Sequence, residues 1–370
     1  MTSIVLIIVL FVIFMGMIVF FNFAPQIGAT AEGHRLERMK NASNYKMGKF
    51  LNPLPTKMDM KSGKMINVMW EFFKNDSSRE PAETIQVYTF DPEEFKNLPS
   101  DEVFWIWFGH STLLIKIDGK TLLTDPVFSE RASMFSFMGP KRFNYSTTMH
   151  PDLLPEIDAV LISHDHYDHL DYKTILQLKE TGTHFYVPLS VGAHLEKWGI
   201  PPQKITELNW WESVKFKEIE LVFTPSRHFS GRGLLNRFST LWGSWVISGK
   251  DRKLFYGGDS GYYPGFKEIG EKYGPFDLTF LECGAYNENW SQIHMMPEET
   301  VQASIDLNGR YLMPIHWGKF NLALHPWKEP VQRAIDEAVK LDVSIVTPEI
   351  GEIMYLNETI TTQHWWDTYN

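Results

Sequence analysis

The segment DAVLISHDHYDH, residues 158–169, joins an apolar run to a dense group of metal-ligand side chains. The apolar run predicts a buried strand. Four ligand-type side chains follow at its carboxyl end: His164, His166, Asp168 and His169. A strand end releases neighbouring side chains into one cleft, and imidazole and carboxylate suit zinc and similar divalent ions. The first two can reach one metal while the last two turn toward a second. A solvated polar loop is the weaker alternative.

The same placement recurs after three later apolar runs. Each of these runs is followed by one further ligand-type residue: His228, Asp259 and His316. The carboxyl ends of strands are where α/β sheets hold their sites. Taken alone, each of the three is interpreted equally well as a metal ligand or as an ordinary packed histidine or turn aspartate. Their recurrence beside the first cluster predicts a shared metal centre.

Short β-rich runs begin at residue 103 and alternate with helical patterns. The runs at 112–117 and 121–125 flank Asp118-Gly119, a dipeptide typical of a tight β-hairpin. Helical patterns are found at four places: 172–181, 190–198, 297–308 and 330–341. Strands with interspersed helices indicate a layered α/β or α+β domain, and we expect two sheets flanked by helices over residues 100–370.

The stretch from 25 to 99 is polar and rich in Asn, Lys, Met and Pro. We interpret it as an N-terminal arm that packs on the main domain, with short helical pieces such as Met65 to Lys74.

The net charge of the chain limits its possible partners: the formal charge of −10 argues against nucleic acid, whose binding needs clustered Lys and Arg. The single cysteine, Cys283, excludes an intramolecular disulfide and a multi-cysteine zinc site.

Residues 4–23, IVLIIVLFVIFMGMIVFFNF, carry no charge. About 20 apolar residues suffice to span a bilayer as a helix, so we predict a transmembrane anchor over residues 1–24. A cleaved signal peptide and a buried core helix are the alternatives, but nothing basic precedes the run and it is long for a signal peptide. Four basic residues follow it: Arg35, Arg38, Lys40 and Lys46. They predict a single-pass membrane protein whose catalytic domain is cytoplasmic.

Several motifs resemble those of known enzymes. HDHYDH resembles the HxHxDH signature of the metallo-β-lactamase superfamily, and the order His228, Asp259, His316 resembles its later ligands. Seven further motifs resemble those of the N-acylphosphatidylethanolamine-hydrolysing phospholipase D family. They are Pro25-Gln26-Ile27-Gly28, Gly109-His110-Ser111-Thr112, Leu123-Thr124-Asp125-Pro126, Gly257-Gly258-Asp259-Ser260-Gly261, Gly284-Ala285-Tyr286, His294-Met295-Met296-Pro297-Glu298-Glu299 and Ile315-His316-Trp317-Gly318. The resemblance runs from about Pro25 to Ala338 and implies a four-layer αββα sandwich.

The resemblance also implies roles for these residues. One metal would be held by His164, His166 and His228. The other would be held by Asp168, His169 and His316, with Asp259 bridging both, so that Asp168 and Asp259 stand at the catalytic centre. Zinc is the expected ion, although iron and manganese also suit these ligand types.

Residues outside the ligand set are open to two interpretations. His294, His110 and Tyr286 are expected to contact substrate, but a histidine is often simply packed. Asp125 is either a support for the ligands or a plain turn aspartate. Seven tryptophans, among them Trp105, Trp107 and Trp290, either line an apolar groove or belong to the core.

Two metal ions a few ångströms apart allow hydrolysis by a metal-bridging hydroxide. The resemblance implies a phospholipase D-type phosphodiesterase that cleaves N-acylphosphatidylethanolamine or a related glycerophospholipid. A lactonase or other ester hydrolase with a soluble substrate is the alternative. A non-enzymatic metal-binding envelope or scaffold protein and an iron-dependent redox enzyme are less favoured. The expected partners are a membrane phospholipid and, through the N-terminal helix, the bilayer; a homodimer stays open.

Two departures from the family pattern fall near the expected substrate groove. Glu282-Cys283 stand where better-known members are apolar, and residues 287–290 lack the arginine often found there. They leave the preference for headgroup and acyl chain open.

Overall fold

The computed structural model describes residues 2–57, 68, 70–72, 74, 76–233, 235–356, 360 and 362–370. In chain order, the strands of this described part are β1 Tyr45–Lys46, β2 Lys49–Phe50, β3 Phe104–Trp107, β4 Leu113–Ile117, β5 Lys120–Thr124, β6 Ala159–Leu161, β7 His184–Pro188, β8 Ile205–Leu208, β9 Ser213–Phe216, β10 Ile219–Thr224, β11 Ser244–Ser248, β12 Lys253–Tyr256, β13 Phe276–Glu282, β14 Gly309–Ile315, β15 Ser344–Ile345 and β16 Ile353–Tyr355. Its helices are α1 Thr2–Phe23, α2 Gly33–Lys40, α3 Pro92–Asn97, α4 Tyr172–Leu178, α5 Val191–Lys197, α6 Gly265–Tyr273, α7 Pro297–Asp306 and α8 Glu329–Lys340.

Two sheets of seven strands form the body of the molecule. The first has the order β16-β3-β4-β5-β6-β7-β8 and the second β15-β14-β13-β12-β11-β10-β9. In the first sheet the pairs from β5 to β8 are parallel, and in the second those from β12 to β15 are parallel. The remaining pairs are antiparallel. Each sheet therefore has a parallel half, whose strand ends can present several loops at one edge.

Side chains along a strand alternate between the two faces of the sheet. Trp105 and Trp107 of β3 lie between the sheets, where Trp105 is edge-on to Phe280 of β13 with ring centroids 6.2 Å apart. Phe104 and Ile106 of the same strand pack in a second core, with apolar side chains of α4 and α5. Helices α7 and α8 contact β14 and β15 of the other sheet. The predicted α/β sandwich of two sheets is thus confirmed.

Local sequence signals fix several of these elements. Asp118 and Gly119 have φ of 48° and 68°, which the mirror-image turn of a two-residue hairpin requires, and they join β4 to β5. The four helical patterns predict α4, α5, α7 and α8 to within a few residues at each end. Helix α6 has no such prediction, because Gly265 and Gly270 weaken the helical pattern.

The prediction of a membrane-spanning anchor over residues 1–24 is wrong, and with it the single-pass membrane localisation. Residues Thr2–Phe23 form helix α1, but across the described part of the chain no helix is both long and apolar enough to cross a membrane. The prediction rested on length and lack of charge, whereas a span also requires sufficient hydropathy along one whole helix. The prediction that the catalytic domain faces the cytoplasm depended on the anchor, so it has no support without it.

The described part of residues 25–99 runs along the sandwich. The backbone N–H of Phe50 donates to Phe238 O over 2.9 Å, and that of Tyr88 donates to Ile350 O over 2.8 Å. Near the start, Trp198 Nε1 donates to Pro25 O over 2.6 Å. Half of the expected helical piece from Met65 to Lys74 lies outside the described residues.

Candidate metal centre

The seven predicted ligands come together at the edge where parallel strands of both sheets end. His164, His166, Asp168 and His169 follow β6, and the other three follow strands of the second sheet: His228 after β10, Asp259 after β12 and His316 after β14. The close approach of the two sheets requires small residues here. At Gly258 (φ +56°) a Cβ would lie 2.5 Å from Cβ of Ser163, so a larger side chain would separate the loop of Asp259 from that of His164.

His164, His166 and His228 form one group. His164 Nε2 lies 2.9 Å from His166 Nδ1, which lies 3.3 Å from His228 Nε2. Their ligand atoms all lie within 4.8 Å of one another. Three imidazole nitrogens that converge so closely fit a cation held between them.

Hydrogen bonds at the outer nitrogens set the tautomers of two of these rings. His228 Nδ1 lies 2.9 Å from Ile293 O, which can only accept, so this nitrogen carries the proton. Ser163 Oγ donates to Asp125 and therefore accepts from His164 Nδ1, 2.9 Å away. Both Nε2 atoms are thus left with lone pairs directed into the group, as in histidines that bind metals.

His110, Asp168, His169 and His316 form a second group whose ligand atoms also lie within 4.8 Å of one another. Asp168 Oδ2 lies 3.1 Å from His110 Nε2 and 3.5 Å from both His169 Nε2 and His316 Nε2. His169 Nδ1 lies 2.7 Å from Asp125 Oδ2 and donates to it, so its Nε2 lone pair faces inward.

Asp259 lies between the two groups. Its Oδ2 is 3.2 Å from His169 Nε2, 3.7 Å from His228 Nε2 and 3.8 Å from His164 Nε2. Its Oδ1 is 3.1 Å from His316 Nε2. One carboxylate therefore reaches both groups, which is the position of a bridging ligand.

The inner atoms of this cluster fit a divalent cation. Within the described residues, His169 Nε2, His316 Nε2 and Asp259 Oδ1 are buried without a hydrogen-bond partner. Buried polar atoms are almost always paired, and leaving one unpaired costs about 1–3 kcal/mol. Nitrogen and carboxylate oxygen donors aimed at one another are instead satisfied by a shared metal ion.

The electrostatics of the two groups differ. Burial, followed by the charges of His169 and His166, lowers the pKa of His164 well below its usual range, and burial lowers that of His228 as well. Burial alone would lower the pKa of His316, but the carboxylates of Asp259 and Asp168 raise it to about 10. The first group is neutral and the second attracts positive charge, so both are suited to holding a divalent cation.

Asp125 supports the cluster from behind. Its buried carboxylate accepts from His169 Nδ1, from the backbone N–H of Ser163 over 2.7 Å and from the hydroxyl of Tyr256 over 2.6 Å. The interpretation of Asp125 as a ligand support fits this geometry better than that of a turn aspartate. Ser163 and Tyr256 were not singled out in the sequence, since Ser and Tyr carry no ligand signal.

The predicted substrate contacts lie in different places. His294 lies at the cluster, with Nδ1 2.9 Å from Glu282 Oε2 and 4.0 Å from Asp259 Oδ2. His110 is buried behind Asp168, and burial followed by the charge of His316 lowers its pKa to about 3. Tyr286 lies apart, where its hydroxyl donates to Glu329 over 2.6 Å and its ring stacks on His325.

Glu282 is the site residue whose role the sequence does not reveal. It is the last residue of β13 and is fully buried. Its Oε1 accepts from the backbone N–H of Ser260 and Met295, and its Oε2 accepts from His294. Burial alone would lower the pKa of His294, but the Glu282 carboxylate raises it. The placement at a strand end, which identified the ligands, is also the signal that would have found Glu282.

Comparisons with known proteins agree with this geometry. The family model described as beta-lactamase superfamily domain matches residues 120–317, more than half of the chain. An uncharacterized protein of Mycobacterium tuberculosis is 41% identical over 337 residues, covering 88% of each chain. N-acyl-phosphatidylethanolamine-hydrolyzing phospholipase D 1 of Caenorhabditis elegans is 34% identical over 288 residues, covering 73% of this chain and 80% of that protein. A metallo hydrolase from the archaeon Ignicoccus hospitalis matches in structure, with a TM-score of 0.54 and 20% identity, covering 70% of this chain and 99% of that one.

The fold and the cluster together define a metal-dependent hydrolase of the metallo-β-lactamase fold. The chain belongs to the beta-lactamase superfamily, and the resemblance to N-acylphosphatidylethanolamine-hydrolysing phospholipase D is confirmed by its named relatives.

Proposed function

We propose that this protein is a phospholipase D-type phosphodiesterase with two zinc ions, which cleaves N-acylphosphatidylethanolamine or a related glycerophospholipid. The observation that carries the proposal is the convergence of all seven ligand-type side chains in a chain 34% identical to a nematode enzyme named for this activity. A scaffold protein has no need of such a cluster. The products would be phosphatidic acid and an N-acylethanolamine.

His164, His166 and His228 would hold one ion, and Asp168, His169 and His316 the other, with Asp259 shared. The inward lone pairs of His164, His228 and His169 support this division, because each outer nitrogen is already used as a donor. Two bound divalent ions would supply an activated water near neutral pH and neutralise charge on the phosphoryl oxygens.

The protein's own side chains have the remaining tasks. Hydrolysis adds the hydroxyl of water to phosphorus, breaks the bond to the N-acylethanolamine oxygen and returns a proton to that oxygen. We assign contact with the phosphodiester to His294, because Glu282 holds its Nδ1 and leaves Nε2 as the nitrogen that can reach substrate. His110 donates to Asp168 and thereby orients that carboxylate.

The test is lipid hydrolysis by the purified full-length protein loaded with zinc. Vesicles containing N-acylphosphatidylethanolamine are incubated with wild type, His166→Ala or His150→Ala, and both products are followed by mass spectrometry. His150 is exposed and outside the cluster, so it is the matched control. We expect release of both products by wild type and control. We expect a loss in His166→Ala greater than the 10–100-fold typical of losing an outer ligand support.

Two other substrates separate the reaction from the lipid. If wild type leaves the lipid intact but cleaves bis(p-nitrophenyl) phosphate, the phosphodiesterase stands and the lipid assignment is wrong. If it cleaves only a lactone or a simple ester, the phosphodiesterase assignment is wrong as well.

A further inference from the structure

The hairpin formed by β1 and β2 has an apolar side chain at its tip. Its two turn residues, Met47 and Gly48, have φ of 53° and 81°. A two-residue turn with both φ positive fits the twist of a hairpin, and Asn-Gly is its preferred sequence because Asn tolerates this conformation. Methionine at the first position is therefore costly for the turn. Met47 is also fully exposed, with a relative accessible area of 101%, so no packing contact offsets that cost.

A second exposed apolar tip lies on the loop beside this hairpin. Leu235, in the loop that follows His228, has a relative accessible area of 99%. Two contacts join this loop to the hairpin. The backbone N–H of Phe50 donates to Phe238 O over 2.9 Å, and Lys49 Nζ lies 5.9 Å from the centre of the Phe238 ring. Single exposed apolar residues are ordinary on a protein surface, whereas two fully exposed ones on adjoining loops indicate an interaction surface.

Basic side chains flank the two tips. Lys46 and Lys49 are paired across the hairpin. Arg237 follows Leu235 by two residues, and its guanidinium lies 5.4 Å from the centre of the same Phe238 ring that Lys49 approaches. All three cations are exposed. We call the five exposed residues of these two loops the tip surface: Lys46, Met47, Lys49, Leu235 and Arg237.

The segments that carry the tip surface contain no acidic residue. None occurs from 38 to 58 or from 221 to 250, in a chain with 45 acidic residues and a formal charge of −10. Glu37, which precedes the first segment, is paired with Lys40 over 2.8 Å. At physiological ionic strength, exposed charges more than about 8 Å apart are largely screened. The tip surface therefore attracts anions although the chain as a whole is acidic.

The tip surface adjoins the candidate metal centre. Asn52, two residues after β2, donates through Nδ2 to His228 O over 2.7 Å. On the other loop, the ring centroid of Phe229 lies 4.4 Å from that of His166 and 6.4 Å from that of Phe238. Both loops of the tip surface are thus connected directly to residues of the metal cluster.

We propose that the tip surface docks on a membrane surface that contains anionic lipids. Met47 and Leu235 enter the boundary between headgroups and acyl chains, and the three cations bind the anionic headgroups around them. A nucleic acid or an acidic protein would pair with the cations but would leave both apolar tips in water. This peripheral contact needs no membrane-spanning helix. It goes beyond the proposed reaction, because docking is measured without turnover and holds for any substrate in the membrane.

The test is co-sedimentation of the full-length protein with vesicles of phosphatidylcholine, with or without phosphatidylserine. We expect binding to be at least about 25-fold tighter with phosphatidylserine, and this difference should shrink as salt is added. Replacing Lys46 and Lys49 together by Gln should weaken binding to the phosphatidylserine vesicles about 25-fold, or about fivefold for each charge. Met47→Asn should weaken it about tenfold, because the apolar tip is lost. The same variant should keep or raise the free energy of unfolding, because Asn suits the turn, so a loss of binding is not a loss of folding.

The control is a second hairpin that carries two lysines. Lys215→Gln with Lys217→Gln removes the same charge from exposed positions near the turn between β9 and β10, at the end of β10 away from His228. This variant should bind like wild type. Helix α1 exposes apolar side chains but carries no charged one, so contact through it would not distinguish the two kinds of vesicle. The proposal is overturned if phosphatidylserine makes no difference, if either tip variant binds as tightly as wild type, or if the control loses as much as the Lys46 and Lys49 variant.

Discussion

The carboxylate of Asp125 shows how the candidate metal centre is held at the level of single atoms. It accepts from His169, Tyr256 and both the backbone and side chain of Ser163, and it has no exposed surface. Since His169 Nδ1 donates to it, the opposite nitrogen faces the metal cluster. Asp125 also lies within reach of His164 and His169 in a group that could hold a metal, but both its oxygens already accept hydrogen bonds, so we expect it to fix a ligand.

Replacing Asp125 by Asn should therefore weaken metal binding about 10–100-fold. The amide has the same size, but its NH2 group would confront donors from Ser163, His169 or Tyr256. Zinc retention against graded chelator concentrations measures the change. Asp152→Asn, at an exposed position in the first turn of a short helical segment, is the control and should retain zinc like wild type. Equal retention by Asp125→Asn and wild type would contradict this role.

Lys319 gives a prediction about pH. Its Nζ is buried and donates to Phe108 O and Val127 O, and burial, followed by the charge of Arg142, lowers its pKa to about 7. The unfolded chain holds this proton up to about pH 10.4. Between pH 7 and 10 the unfolded state thus binds more protons, so the free energy of unfolding rises with pH.

The comparison with Lys319→Met isolates this contribution. Urea unfolding in the presence of chelator, at several pH values from 6 to 10, should show wild type gaining stability relative to the variant. The difference should be flat below pH 7, where both states are protonated. A difference that is constant over the whole range would mean that Lys319 titrates normally.

At the residue scale, the sequence predicts which side chains converge but not what each one faces. The seven candidate ligands share one property, a position after an apolar strand, and that property is visible in the chain. The positions of His110 behind Asp168 and of Tyr286 beside Glu329 depend on loop conformations that have no periodic pattern. Glu282 has the strand-end placement, yet its link to His294 depends on residues twelve positions apart meeting in space.

At the scale of elements, the motif Pro25–Gly28 acts by docking on helix α5. His194 of that helix accepts from the backbone N–H of Ala29 over 2.8 Å, and its Nε2 lies 3.2 Å from Asp165 Oδ2. Asp165 belongs to the metal-binding segment. The arm thus contacts the metal centre through two side chains, which explains why a motif distant in sequence accompanies the ligands.

Gly28 is the tightest point of this contact. It has φ +82°, and a Cβ there would lie 2.0 Å from His194 Nδ1. Gly28→Ala should lower the free energy of unfolding by about 1–3 kcal/mol more than Gly33→Ala. Gly33 also has positive φ, at +55°, but nothing lies within 4 Å of its Cβ position, so it controls for backbone strain alone. Equal losses in urea unfolding would show that the contact with His194 is unimportant.

Elements with strong local signals were predictable and the others were not. The Asp118-Gly119 hairpin rests on turn chemistry, and α4, α5, α7 and α8 rest on periodicity. Helix α6 contains Gly265 and Gly270, which weaken the helical pattern of its sequence, and strands β1 and β2 are too short to show alternation. The prediction of a membrane span from the run at 4–23 is wrong, because no helix among the described residues is long and apolar enough to cross a membrane.

At the scale of the molecule, one edge of each sheet lies at the candidate metal centre. The carboxyl ends of β6, β10, β12 and β14 meet there, so a bound ion would join loops from both sheets. A metal ion that binds only the folded state adds about 2.7 kcal/mol to the free energy of unfolding when its free concentration is a hundred times the dissociation constant. Metal removal should therefore lower the melting temperature by several degrees. In a chain of this length, losing 1 kcal/mol of the free energy of unfolding lowers the melting temperature by up to about 2–4 °C.

Scanning calorimetry with zinc and with chelator checks this coupling. His150→Ala should show the same shift as wild type, whereas His166→Ala should show a smaller one. An identical melting temperature in zinc and chelator would mean that metal does not link the two sheets.

The most direct test of the two-metal centre is the metal content of the folded protein. Wild type, His164→Ala, His316→Ala and His150→Ala are loaded with zinc, freed of excess by gel filtration and measured by mass spectrometry of the elements. We predict about two ions per chain in wild type and His150→Ala, and about one in each of the other variants, since each loses a ligand of a different group. A wild-type content of one ion or none, or the same content in all four proteins, would contradict the two-metal centre.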